Sequence, residues 1–164
     1  MALVTEDGTG MATAESFISV ADAETRLSNL GDTTFAALTT AEKEQALRKA
    51  TNFMEQRYRT KWRGTRLYRD QALSWPRYGA EVDGYTLDSN YVPADVANAC
   101  ADLALISLTE TLNPNLDREV IREKVGPLET EYARGSVGKT WAATSQALSP
   151  YLKYGAMNVA LVTR

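Results

Sequence analysis

Seven cations lie between Arg57 and Arg77 of this 164-residue chain (Arg57, Arg59, Lys61, Arg63, Arg66, Arg69 and Arg77), and Asp70 is the one acid among them. Tyr58, Trp62, Tyr68, Trp75 and Tyr78 are interleaved with these cations. Cations that pair with phosphates, alternating with rings that stack on bases, are the combination by which single-stranded nucleic acid is held. The same residue types have two other uses. Tryptophans can anchor a long loop to a helical body while arginine stems pack over them, and Trp, Tyr and Arg are the enriched anchors of protein interfaces. Composition alone leaves all three open.

Other chemical signals are weaker. GSVGKT, residues 135 to 140, ends like a phosphate-binding loop, but Ala133 stands where that motif needs its first glycine and the preceding LETEYAR is charged. A glycine-rich turn is the simpler reading. The acid pairs Glu129 with Glu131 and Asp117 with Glu119 would each share a face of an extended segment, with no apolar or histidine-bearing surroundings to tune them. The chain has no histidine and one cysteine, Cys100, so the commonest general base is missing and no zinc ligand set can be assembled. We therefore expect no catalytic residue, no metal, no cofactor and no enzymatic activity. Cys100 reads as a small buried hydrophobe.

The formal charge is −3, and the basic segment contributes +6 of it, so the rest of the chain carries −9. That balance argues against a generic nucleic-acid coat and against an anionic membrane. The opening MALVTEDGTGMA has no basic region followed by an apolar run, and the apolar stretch 96–112 is interrupted by Asp102 and Glu110. A cytoplasmic protein that does not meet a membrane is expected.

The elements that must carry these residues are mostly helical. Ser19 and Asp22 have capping-box spacing, Val20, Ala23 and Leu27 share a face, and Gly31 supplies a stop. Thr39 with Glu42 opens a second helix over 40–57, on which Leu47, Ala50, Met54 and Tyr58 recur at spacings of three and four. Residues 58–92 show no sustained period, and Asp83-Gly84 marks a turn between two short apolar runs. From Pro93 a third helix, nearly apolar all round, is expected to run to Asn113-Pro114 in the middle of a bundle. Alternation through Leu128, Thr130 and Tyr132 predicts a short β-ribbon or arm over 118–140, and TSQALSPYL a short helix stopped by Pro150. The predicted class is mainly α: a small helical bundle with a long ordered central loop or hairpin, a short β-ribbon or extended arm, and a C-terminal tail. One domain, 1–164, comprises an extended N-terminal segment (1–16), a helical core (17–112) with the central loop 58–92, the arm 118–140, and the short helix and tail 144–164.

In order along the chain, EDGTGMATAESFISVADAETRL, KATNFMEQRY, WRGTR, QALSWPRYG and VPADVANACADLALISL, continued by EKVGPLETEY and SPYL, resemble a tailed-bacteriophage family. That family is often labelled DnaT-like single-stranded-DNA-binding protein, and its members look like head-tail adaptor, or head completion, proteins. The resemblance implies a helical subunit that forms a ring, twelve-fold in the family, with the portal protein on one side and the next tail-side adaptor, stopper or tail protein on the other. Genomic DNA would pass through its lumen. Such a protein would reside at the head-tail interface of the virion after assembly in the host cytoplasm.

The alternative is a single-stranded-DNA-binding protein of phage replication that uses residues 57–78. A conduit through which DNA slides is poorly served by stacking, which retains about 1–3 kcal/mol per base, so the adaptor is the favoured expectation. Under it, Trp62, Gly64, Trp75, Pro76 and Arg77 form a clamp, with Arg77 free to reach a carboxylate on its own bundle or the next subunit. Arg57, Arg59, Lys61, Arg63, Arg66, Arg69 and Arg77 are candidate interface or nucleic-acid contacts. Lys124, Val125, Leu128 and Tyr132 of the arm, and Val159, Leu161, Val162 and Arg164 of the tail, are candidate contacts to neighbours or portal.

Overall fold

Local capping sets the first two helices of the computed structural model, which describes residues 2–113, 122–125, 128–131 and 141–153. Ser19 accepts from the Asp22 backbone N–H and opens α1 (Val20–Asn29). Gly31, with a φ of 88°, lets the chain turn so that the Gly31 and Asp32 N–H groups close on the Ser28 and Leu27 carbonyls. The reciprocal Thr39–Glu42 capping box opens α2 (Thr40–Tyr58). Each such cap is worth about 1 kcal/mol.

Helix α3 (Ala94–Ile106) starts directly after Pro93 and packs most extensively on α2, with further contacts to α1 and α4 (Ala142–Leu148). Val96, Ala99, Cys100, Leu103 and Ala104 of α3 are buried with Leu47, Ala50 and Met54 of α2 in one core. The bidentate Arg26–Asp102 pair ties α1 to α3, and Lys43–Glu24 ties α2 to α1. The expected course of α3 to residue 112 is corrected: it stops at Ile106. Ser107 and Thr109 turn their hydroxyls onto the Ala104 and Ile106 carbonyls, the local competition that makes such residues poor helix formers. Cys100 is buried in this core, and that burial pushes its thiol pKa up.

Three small antiparallel sheets complete the architecture of the described residues. Strands β1 (Thr65–Arg66) and β2 (Arg77–Tyr78) pair Thr65 with Tyr78 and Arg66 with Arg77. Strands β3 (Glu81–Val82) and β4 (Tyr85–Thr86) flank Asp83-Gly84, whose φ values of 53° and 83° are those of a type I′ turn. The ordered loop or hairpin expected at 58–92 is therefore two hairpins built on one connection. Strands β5 (Arg122–Val125) and β6 (Leu128–Glu131) form the ribbon within the expected arm, registered Arg122 to Glu131. Pro150 does not end the last helix abruptly, because it sits in a 3-10 turn, Ser149–Tyr151, that continues from α4. The architecture is mainly α, as expected. No helix is long and apolar enough to cross a membrane among the described residues.

The N-terminal lead is organised around a buried carboxylate. Glu6 accepts from the backbone N–H groups of Gly8, Gly10 and Met11 at 2.8–3.0 Å. The resulting loop lies under the central hairpins: the Ala72 N–H donates to the Met11 carbonyl, and Gly8 and Gly10 pack against Asn90 and the Tyr68 ring.

Candidate functional site: the tryptophan and arginine clamp

Tyr58 at the end of α2 begins a stack of rings that runs through the centre of the molecule. Its ring lies 5.7 Å from Trp62, Trp62 meets Trp75 edge-on at 5.8 Å, and Trp75 meets Tyr151 edge-on at 6.0 Å. Both tryptophans are wholly buried. Edge-to-face contacts of this kind add about 0.5–1.5 kcal/mol each beyond burial. The indole N–H groups of Trp62 and Trp75 have no hydrogen-bond partner, so both rings act as apolar wedges. The Tyr151 hydroxyl donates to Asp95, and the Tyr58 hydroxyl bonds with Ser145, which fixes the two ends of the stack to α3 and α4. Burial, followed by the Asp95 contact, pushes the Tyr151 pKa up.

Around the rings, backbone and side chains lock the loop from three directions. The Arg63 N–H donates to the Tyr151 carbonyl and the Lys153 N–H to the Lys61 carbonyl, so residues 61–63 and 151–153 pair antiparallel about Trp62 and Leu152. Buried Gln71 accepts from the Tyr68 N–H and donates to the Leu73 and Pro76 carbonyls. Glu55, reaching from α2, accepts from both the N–H and the hydroxyl of Ser74. The Trp75–Pro76 peptide is cis. Pro76 is fully buried beside Trp75.

Arg77 is the keystone. Its Nε donates to the Arg63 carbonyl at 2.6 Å, Nη2 to the Gly64 carbonyl at 2.7 Å and Nη1 to the Ser74 carbonyl at 2.9 Å. The expectation that Arg77 reaches a carboxylate is thus corrected, and so is its place among the surface contacts, since it is only 5% exposed. A strand residue that points inward beside three carbonyls converts its five donors into a cross-link between two loop segments. Burial, followed by the nearby Arg66 charge, lowers its pKa. Gly64, at a φ of 67°, lets the chain pass so close that a Cβ would meet the Tyr78 carbonyl oxygen at 2.5 Å. We expect Gly64→Ala to cost about 3 kcal/mol, from strain plus overpacking. Gly79→Ala, at a φ of 65° with open space around it, should cost about 1 kcal/mol, and urea melts of the two variants measure the difference.

Along its full length, residues 1–164, the sequence matches the profile of a family described as "Putative DnaT-like ssDNA binding protein". The chain belongs to this DnaT-like family. No curated protein and no solved structure gave a match.

In this DnaT-like chain the cations that sequence grouped together are held at different depths, with Arg59, Arg66 and Arg77 all within electrostatic reach of Glu55. Arg59, Lys61 and Arg69 are exposed, whereas Arg57 and Arg66 are half-buried. Arg63 is also half-buried and donates to the Leu152 and Glu81 carbonyls. Of the five aromatics interleaved with them, Tyr68 and Tyr78 are exposed. Lys124, Val125 and Leu128 fall on the backbone of the β5–β6 ribbon. Tyr132, Val159, Leu161, Val162 and Arg164 lie outside the described residues, as does GSVGKT. Among the described residues no cluster of three or more metal-ligating side chains occurs.

Sequence reasoning missed Glu6, Glu55 and Gln71. An acid followed closely by two glycines, as in EDGTG, was a signal for a loop wrapped on a carboxylate. Glu55 carried none, because its partner comes from 19 residues away. Burial raises the Glu55 pKa, against the opposing pull of its Ser74 hydrogen bonds. A raised folded-state pKa means that the folded form binds the proton more tightly than the unfolded chain, so the associated stability is lost as pH rises. It is fully present below about pH 4.3, the unfolded glutamate value. Glu55→Gln keeps an acceptor for the Ser74 N–H and should remove this slope, so the wild type should lose stability relative to Glu55→Gln as pH climbs from about 4 toward neutrality. Urea melts at several pH values check the sign. Glu15, held low chiefly by its hydrogen bond from Arg48, acts in the opposite direction in both proteins and cancels in the comparison.

Proposed function

We propose that this chain is a structural virion subunit, a head-tail adaptor that assembles as a ring between the portal and the tail of a phage and lets DNA pass without acting on it. The observation that carries this reading is the fate of Trp62, Trp75 and Arg77. The residues best suited to stack on bases and grip phosphates are sealed inside, where they lock two hairpins onto a helical body. The motifs of the phage resemblance are spent internally in the same way, since EDGTG wraps Glu6, WRGTR passes Gly64, and SPYL supplies Tyr151. A chain that devotes its distinctive residues to rigidity is a scaffold part. Its partners would be further copies of itself, the portal protein and the next tail-side component.

Electron microscopy of virions carrying this protein tests the proposal: ring density at the portal vertex is expected, and a portal vertex without it would refute the adaptor. The second reading, binding of single-stranded DNA, is favoured by the family description and by the exposure of Tyr68 and Tyr78 and of the cations Arg59, Lys61 and Arg69.

A further inference from the structure

Four of the six large apolar or aromatic side chains exposed among the described residues are tyrosines of the central hairpin module: Tyr68, Tyr78, Tyr85 and Tyr91. Exposed tyrosines beside arginines mark an interaction surface, because each ring offers large contact area at little entropic cost. Here they stand on a supported base. Tyr68 rests against Gly10 of the loop around Glu6, and the β3–β4 hairpin is joined to the clamp where Arg63 donates to the Glu81 carbonyl.

The charges decide which partner fits. The exposed or half-buried cations Arg59, Lys61, Arg66 and Arg69 lie on one side of the module's sequence, 59–69. The stretch 80–92 contains no cation and carries Glu81, Asp83 and Asp88, all exposed or half-buried. Three exposed carboxylates in the same module disfavour a polyanionic strand as its occupant. Arg66 is only partly compensated within its own subunit: it lies within electrostatic reach of Glu55, but it stands directly opposite Arg77 in the β1–β2 ladder, its buried Nε lacks an acceptor, and it forms none of the direct ion pairs among the described residues. Like charges directly opposite one another are unfavourable, so an acid from outside would relieve the site.

We propose that this tyrosine-bearing module docks a second copy of the same chain, with Glu81 and Asp88 of one copy meeting Arg66 and Arg69 of the next. A surface that carries both halves of a complementary charge pattern can join copies head to tail, and repetition of such a contact closes a ring or extends a filament. The inference rests on the assembly reading above and names the surface through which copies meet.

Sedimentation of the full chain over a wide concentration range tests it, with two double variants, Glu81→Lys with Asp88→Lys and Arg66→Glu with Arg69→Glu. Tyr85→Ser serves as a third variant that leaves the charges in place, and circular dichroism verifies that each folds. Wild type should self-associate, and each double variant alone should do so roughly tenfold or more weakly. An equimolar mixture of the two double variants should regain association, and Tyr85→Ser should weaken it. A wild type that stays monomeric throughout, or a mixture that gains nothing over its components, would overturn the proposal. So would binding of a single-stranded oligonucleotide that is lost in Arg66→Glu with Arg69→Glu, because DNA would then be the occupant. Virions lacking portal-vertex density would remove the adaptor yet leave a measured self-association standing, so the two failures are separable.

Discussion

Trp75→Ala is expected to remove about 3–5 kcal/mol of folding stability, the usual cost of emptying a buried tryptophan site. Trp75 touches both Trp62 and Tyr151 edge-on and has no exposed surface. Its loss would therefore open a cavity where α2, the central loop and the C-terminal turn meet. Domains of this size hold about 5–15 kcal/mol in total, so the variant should be a large part of the way to unfolding and its thermal transition should broaden or vanish. Tyr85→Ala, at a side chain 76% exposed, should stay within about 0.5 kcal/mol of wild type. A base-stacking role predicts the reverse pattern for Trp75: an intact fold with lost oligonucleotide affinity. Thermal denaturation by circular dichroism separates the two, and Trp75→Phe, which retains one ring, supplies an intermediate value should the alanine variant fail to fold.

Arg77→Ala should cost a similar amount by a different route. Removal of the guanidinium leaves the Arg63, Gly64 and Ser74 carbonyls without their donor. A buried polar group left unsatisfied costs about 1–3 kcal/mol, so a total of about 3–5 kcal/mol is expected after partial relaxation and hydration. The diagnostic variant is Arg77→Lys. Lysine keeps the charge but concentrates its donors at one point, and it cannot span three carbonyls that the planar fork reaches together. If geometry is what matters, Arg77→Lys should recover no more than about half of the lost stability in urea titrations. Full recovery would mean that charge alone suffices, and the guanidinium cross-link would be wrong.

These two residues also mark the limit of what the sequence makes legible. Ser19, Thr39 with Glu42, Gly31 and Asp83-Gly84 declare their roles because capping and tight turns are decided within four residues. That the tryptophans, with Arg77, brace the loop is a reading the sequence could only offer beside two others, because composition does not say which way a ring points. The partners of Arg77 lie up to 14 residues away on a segment without periodicity, so sequence offers a carboxylate as the natural target for a guanidinium where the fold supplies carbonyls. Helix α3 ends early for an equally local reason, the hydroxyls of Ser107 and Thr109, whose effect is masked in sequence by the apolar run before them. The density of cations at 57–77 suggested one electropositive site. Folding instead buries Arg77, engages Arg63 with carbonyls, and sets an acidic hairpin alongside.

The central claim is that the tryptophans and Arg77 are internal bracing and that the chain works by assembly. Fluorescence anisotropy of a labelled single-stranded oligonucleotide, titrated with the purified protein at low salt, tests it most directly. The account predicts no saturable binding at micromolar protein. Binding that saturates there, weakens steeply with added salt and disappears in Tyr68→Ala with Tyr78→Ala would contradict it and make the exposed face of this module a DNA site.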